Sequence, residues 1–360
     1  MQTPAVRINL RNIEENARLI RKRCQAGGIS VTGVVKGAAG DLKVAEALLR
    51  GGITSLGDSR LKNIITFRQT GFKGEIVLLR LPQLAEVEKV IEYVDISLVS
   101  ELATVKALSL AATKAAKKHG IIVMVDVGDL REGLLPGELA DFFSKIISWP
   151  GLELKGIGTN VGCYGGVLPT RENTELLLKL KARLESKFAV KLGTISGGNT
   201  ATTLLLEDLK LPVGINHLRV GEGILQGTDI TNQRIIKGLN QDNFTLVAEI
   251  IELKDKPSVP QGEIGHDAFG KIPQFPDRGT RRRAILAVGR QDVKIDGLTS
   301  LRQGIEILGA SSDHLIVDLT ELGGEYQVGD HLEFRLDYGA MLAVMTSPYI
   351  EKQYLEEPAD

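Results

Sequence analysis

Hydrophobic and polar positions in the first two-thirds of the chain follow two alternating rhythms. Short β-branched or apolar runs at 30–36, 53–57, 75–79, 95–100, 121–127, 152–160, 191–197 and 216–220 read as strands. Between them, segments such as 11–26, 42–51, 101–118 and 171–188 carry helical spacing. Leu102, Val105, Leu108 and Ala112 fall on one such face, and Ser100 and Thr170 stand where helix caps belong. Eight strand-like runs separated by helices predict a closed (β/α)8 TIM barrel over 1–235. An open doubly wound sheet is the rival, but no GxGxxG follows the first strand. From 236 the rhythm changes. Runs at 244–252, 283–288, 315–319, 331–335 and 340–345 read as strands between Gly, Pro and Asp clusters, which predicts a mostly β C-terminal domain over 236–360. The segment 256–282, with Pro257, Pro260, Pro273 and Pro276, reads as a long loop of functional length.

Composition adds exclusions. With 44 basic and 45 acidic residues the net charge is -1, so nothing favours a nucleic-acid partner electrostatically. No apolar run reaches membrane-spanning length, and the opening residues show no signal-peptide stretch. Two cysteines, Cys24 and Cys163, cannot build a disulfide framework, so a cytoplasmic protein is expected. Five scattered histidines and no His/Cys cluster give no metal site.

A barrel carries its chemistry at the C-terminal ends of its strands. There the sequence puts Lys36, then Asp126 with Asp129 and Arg131, then Asn160, then Ser196-Gly197-Gly198-Asn199-Thr200, then Arg219 before Gly221-Glu222-Gly223. Lys36 ends an apolar run and is followed by small residues; a desolvated amine there becomes a nucleophile, whereas a snorkelling one is merely structural. Gly-rich turns expose backbone N–H groups and suit phosphate, with Ser196 and Thr200 adding hydroxyls, though tight βα turns also use glycine. A lysine and a phosphate cradle on one rim form the layout of a pyridoxal phosphate (PLP) site.

At this point the chain resembles the alanine-racemase-like, fold-type III PLP enzymes, and more closely their ornithine racemase branch. The matching pieces are Val34-Val35-Lys36-Gly37, Asp126 to Gly133, Gly156-Ile157-Gly158-Thr159-Asn160, Ser196 to Thr200, Leu218 to Gly223, and Ser311-Ser312-Asp313-His314. The resemblance runs from Pro4 to about Tyr349. It implies a PLP-dependent amino-acid racemase working as a homodimer, with each β domain closing the partner's barrel mouth. By this resemblance Lys36 holds PLP as a Schiff base. Asn199 and Thr200, with the backbone around Gly221 and Gly223, meet its phosphate, and Arg219 faces its ring nitrogen. Arg131 orients the phenolic oxygen or a substrate carboxylate. Asn160, Ser196 and Tyr349 join the cofactor contacts.

Departures from the pattern redirect the substrate. A Gly-Tyr-x-Asp segment with a tyrosine base becomes Gly289-Arg290-Gln291-Asp292 here, and arginine is no base. A lysine often carbamylated becomes Met124, a tyrosine after the PLP lysine becomes Gly40, and a histidine on the ring becomes Asn160. These argue against alanine. Racemisation needs proton exchange on both faces of Cα. Lys36 serves one; His266, Cys163, Tyr164, Asp313 and His314 are candidates for the other. The room left by Gly37 and Gly40, and acids such as Asp267, Asp292 and Asp313, favour a basic substrate, ornithine or lysine, with Arg290 on the α-carboxylate. A PLP decarboxylase or aldolase and a non-catalytic PLP carrier are the competing readings.

Overall fold

The computed structural model describes residues 2–355. The chain folds into two units. One is Arg11–Gln241; the other takes the chain before Arg11 and after Gln241.

After strand β1 (Ala5–Asn9) and helix α1 (Leu10–Ala26), eight parallel strands close a barrel in chain order. They are β2 (Ser30–Val34), β3 (Ser55–Asp58), β4 (Glu75–Leu78), β5 (Ile96–Val99), β6 (His119–Met124), β7 (Leu152–Gly158), β8 (Thr194–Ser196) and β9 (His217–Val220). Closure comes from β9 pairing back on β2, with Thr32 opposite Arg219. Helices α2 (Leu42–Arg50), α3 (Leu61–Gln69), α4 (Val87–Tyr93), α5 (Leu102–Lys114), α6 (Leu139–Ile146), α7 (Arg171–Phe188) and the short α8 (Thr203–Glu207) lie between them. Their starts follow local chemistry. The Asp41 carboxylate accepts from Val44 N and caps α2, and Thr170 and Asn173 form a reciprocal capping box on α7. In α2, Val44, Ala45, Ala47 and Leu48 are buried, one apolar stripe facing inward. Val77, Ile96, Leu98, Ile122 and Met124 pack one of the buried clusters. The last βα unit is short, as its glycines foretell: α9 (Glu222–Gln226) and a small hairpin, β10 (Thr228–Asp229) with β11 (Arg234–Ile235). Gly156 on β7 is obligatory, since a Cβ there would stand 1.7 Å from the Thr194 carbonyl oxygen.

The second unit is an eight-stranded sheet. Its strands are β1, β12 (Phe244–Pro257), β13 (Thr280–Leu286), β14 (Leu298–Ser300), β15 (Glu306–Ala310), β16 (Leu315–Asp318), β17 (His331–Leu336) and β18 (Glu351–Leu355). Two features differ from the sequence reading. First, the residues before Arg11 belong with the second unit, because β1 pairs with β12 and β18, and that unit resumes after Gln241. Second, 340–345 is no strand. It lies in helix α10 (Tyr338–Thr346), opened by the Asp337 carboxylate accepting from Ala340 N at 2.7 Å. An unbroken apolar run has no period that separates strand from buried helix. Among the described residues no helix is long and apolar enough to cross a membrane.

Candidate active site

The C-terminal rim of the barrel gathers one charged cluster. Lys36 follows β2 as the first residue of a 3-10 turn, Lys36–Ala38, whose Gly37 and Ala38 are buried. Its side chain is half-buried and has no hydrogen-bond or ion-pair partner among the described residues. Burial holds the amine below the usual lysine range. Around it stand Cys163, Arg131, Glu132 and Asp58; the Arg131 cation disfavours the ammonium form, and the two acids favour it.

Asp58, at the end of β3, is fully buried, and desolvation pushes its carboxyl up to about 6. One oxygen accepts from Arg60 N at 2.7 Å and Asn63 Nδ2 at 3.1 Å; the other has no partner. Gly40 makes this contact possible. It sits at φ +69°, and a Cβ there would come within 2.5 Å of Asn63.

The loop after β6 carries Arg131 and Glu132, which form an ion pair. Burial lowers the arginine's affinity for its proton, but hydrogen bonds to Glu132 and Cys163 outweigh it and raise the pKa. Asp129, 1% exposed, clamps the next loop. Its carboxylate accepts from the backbone of Gly162 (3.0 Å), Cys163 (3.2 Å), Tyr164 (3.0 Å) and Val167 (3.3 Å). The Cys163 thiol therefore has a fixed address. Asn160 Nδ2 donates to its sulfur at 2.8 Å and Asn199 Nδ2 at 3.3 Å. Asn199 also donates to Val161 O at 2.8 Å and accepts from Ala201 N at 2.9 Å. Tyr164, by contrast, is 77% exposed.

Beneath this rim lies a buried polar chain. Arg219 donates to Ser196 Oγ and, at 2.7 Å, to Thr159 O. Burial lowers its guanidinium to about 10. Ser196 Oγ is 2.8 Å from His217 Nδ1, His217 Nε2 is 2.9 Å from Thr32 Oγ1, and Thr32 Oγ1 is 2.8 Å from Ser55 Oγ. Burial, with Arg219 adding to it, pushes His217 down to about 3. The sequence puts Ser196 among the phosphate donors, but its hydroxyl is fully buried and engaged by Arg219 and His217. Thr200 Oγ1 accepts from Gly223 N at 3.2 Å. Gly221 and Gly223 are tight positions, where a Cβ would meet Val34 and Thr200 at about 3.1 and 3.0 Å.

The remaining candidates belong to the β unit. His266 and Asp267 lie in the exposed loop between β12 and β13. The Asp267 carboxylate is occupied by Phe269 N and Lys271 N. Arg290 donates to Ala310 O at 2.8 Å, with its guanidinium carbon 4.7 Å from the Phe269 ring centroid. Asp292 is buried and accepts from Ser347 Oγ at 2.8 Å, which makes it a structural carboxylate within its own unit. Asp313 and His314 pair with each other at 2.9 Å in the open. Tyr349 is 70% exposed.

Sequence reasoning passed over Asp58, Glu132 and His217. Asp58 ends a barrel strand, so the rule that found Lys36 could have found it. Glu132 stood inside a matched segment without a role. His217 carries no sequence signal, because nothing local says that a strand residue meets hydroxyls on its two neighbouring strands.

Comparison with known proteins agrees with the architecture. Residues 8–228 match the family model for the alanine racemase N-terminal domain. A lysine racemase from Thermotoga maritima is 43% identical over 98% of this chain and 99% of its own length. An ornithine racemase from Acetoanaerobium sticklandii is also 43% identical, over 98% of this chain and 99% of its own. Alanine racemase from Streptomyces lavendulae shares the fold, with TM-score 0.77 and 19% identity over 99% of both chains. The chain belongs to the alanine racemase family.

Proposed function

We propose that this protein is a PLP-dependent amino-acid racemase acting on a basic amino acid, ornithine or lysine. The observation that carries the reading is Lys36, an amine without a partner among the described residues, drawn down by burial, on a barrel rim that also carries Arg131 and Asn199 above the buried Arg219. Pyridoxal phosphate is the cofactor of this family, and these residues fit it: an available amine, cations for its oxygen and ring nitrogen, and amide and hydroxyl groups for its phosphate. The substrate class is supported by the two relatives that match this chain nearly end to end.

When bound, PLP draws electrons from Cα of the attached amino acid and makes its proton removable. The chain's residues do the rest. Lys36 anchors the cofactor, then takes and returns the Cα proton on its own face. Arg219 is fixed by Ser196 and Thr159 and remains a cation, so it hands no proton to the ring nitrogen. A cation in that place would keep the ring a weak electron sink and would favour quick return of the proton. Arg131 orients the phenolic oxygen or the substrate carboxylate. Asn199 and Thr200, with the Gly221–Ile224 backbone, are the phosphate's neighbours. We further propose a cytoplasmic homodimer in which each β unit completes the partner's barrel mouth.

The test is loss of optical activity from L-lysine and L-ornithine, with L-alanine as control, followed by circular dichroism in D2O. The reading expects both basic amino acids to racemise and to gain deuterium at Cα, with alanine much slower. Evolved carbon dioxide, or no change in any amino acid by a PLP-loaded yellow protein, would overturn it. Light scattering of the active species tests the dimer; a fully active monomer contradicts it.

A further inference from the structure

We infer that Cys163 is the acid–base group on the face of Cα opposite Lys36, an inference that rests on the racemase reading above. Four observations converge. First, the sulfur stands where the cluster meets. Asn160 and Asn199 donate to it at 2.8 and 3.3 Å, and it stands with Arg131, Glu132 and Asp58 among the ionisable groups around the Lys36 amine. Second, it is held. Asp129 accepts four backbone N–H groups of its loop, including that of Cys163 itself. Third, the sulfur is exposed in the barrel unit, so a substrate can reach it. Fourth, the other candidates are placed less well. Asp313 and His314 hold each other, and His266 and Tyr164 stand exposed on loops.

The proton count closes. In one direction the neutral Lys36 amine takes the Cα proton: a C–H bond breaks, an N–H bond forms, and the electron pair stays with Cα. The Cys163 S–H then delivers its proton to the other face, leaving a thiolate to which the Asn160 and Asn199 amides already donate. The opposite enantiomer runs the same steps in reverse. Transfer of one proton from the Lys36 ammonium to the thiolate restores the start, and no proton is consumed.

The experiment follows each enantiomer of lysine separately in D2O with PLP-loaded wild type, Cys163→Ala and the near-isosteric Cys163→Ser. The variants should keep the visible PLP absorbance and racemise at least ~100-fold more slowly. One enantiomer should still exchange its α-proton through Lys36 without inverting; the other should scarcely exchange. Racemisation within a few-fold of wild type, or equal loss of exchange with both enantiomers despite normal absorbance, would overturn the role. If wild type exchanges neither enantiomer, the racemase reading itself falls and this inference with it. An independent readout is alkylation by iodoacetamide, mapped by mass spectrometry. Cys163 should react more slowly with PLP and lysine bound than without. Cys24, buried with its thiol pushed up to about 12, is the unreactive internal control. Equal rates at Cys163 in both states would contradict its place at the reacting centre.

Discussion

Arg219 can only donate hydrogen bonds, and this gives direction to the polar chain beneath it. Ser196 Oγ accepts from Arg219 and makes a second hydrogen bond with His217 Nδ1. His217 is neutral, and its Nε2 and Thr32 Oγ1 carry the chain on to Ser55 Oγ. The low histidine pKa, about 3, agrees with that state. Ser196→Ala leaves a ring nitrogen and a guanidinium N–H unpaired in a buried site. It should lower unfolding stability by about 1–3 kcal/mol in urea titrations and shift the visible absorbance of bound PLP, since Arg219 loses its anchor. An unchanged urea midpoint and spectrum would contradict the chain. The places of Lys36 after β2 and Arg219 near the end of β9 were legible because strand ends are legible. The role of Ser196 was not, since a sequence offers a hydroxyl without saying where it points.

At the scale of elements, Asp129 does for the 161–167 loop what a cap does for a helix: one carboxylate satisfies four amides. Asp129→Ala should free that loop. Amide hydrogen exchange at Gly162–Val167 should then rise by at least tenfold while barrel-strand amides stay protected. Exchange that stays slow would show that other contacts hold the loop. The eight barrel strands could be read from apolar runs of the right length, because most of their residues are buried on both faces, the first half of β7 excepted. The limits of that rule are visible in two places. At Tyr338–Thr346 the same kind of run is a helix, decided by the Asp337 cap rather than by its apolar pattern. At Ala5–Asn9 the strand's partners lie beyond residue 240, a pairing with no local signature.

Over the whole molecule, buried titratable groups set how stability responds to acid. Burial lowers His217 to about 3 and His119 to about 4. The unfolded chain binds protons on these rings below about pH 6.5, and the folded chain does not. Each therefore removes about 1.4 kcal/mol of stability per pH unit as pH falls from 6.5 toward its folded value. Asp58 works in the opposite sense. Raised to about 6, it binds a proton in the folded state before the unfolded one, and so returns stability between about pH 6 and 4. Two histidines outweigh one carboxyl, so the urea midpoint should fall steadily from pH 6.5 to 4. A flat profile would mean that these rings are solvated in the folded protein. In His217→Gln the slope should be shallower.

The central claim is that Lys36 carries the cofactor. Purified protein loaded with PLP, reduced with borohydride, digested and sequenced by mass spectrometry tests this most directly. The reduced cofactor should sit on the peptide containing Lys36, in near-stoichiometric yield, and should vanish from Lys36→Ala. Label on a different lysine, or an unmodified Lys36 peptide from a fully yellow preparation, would contradict it.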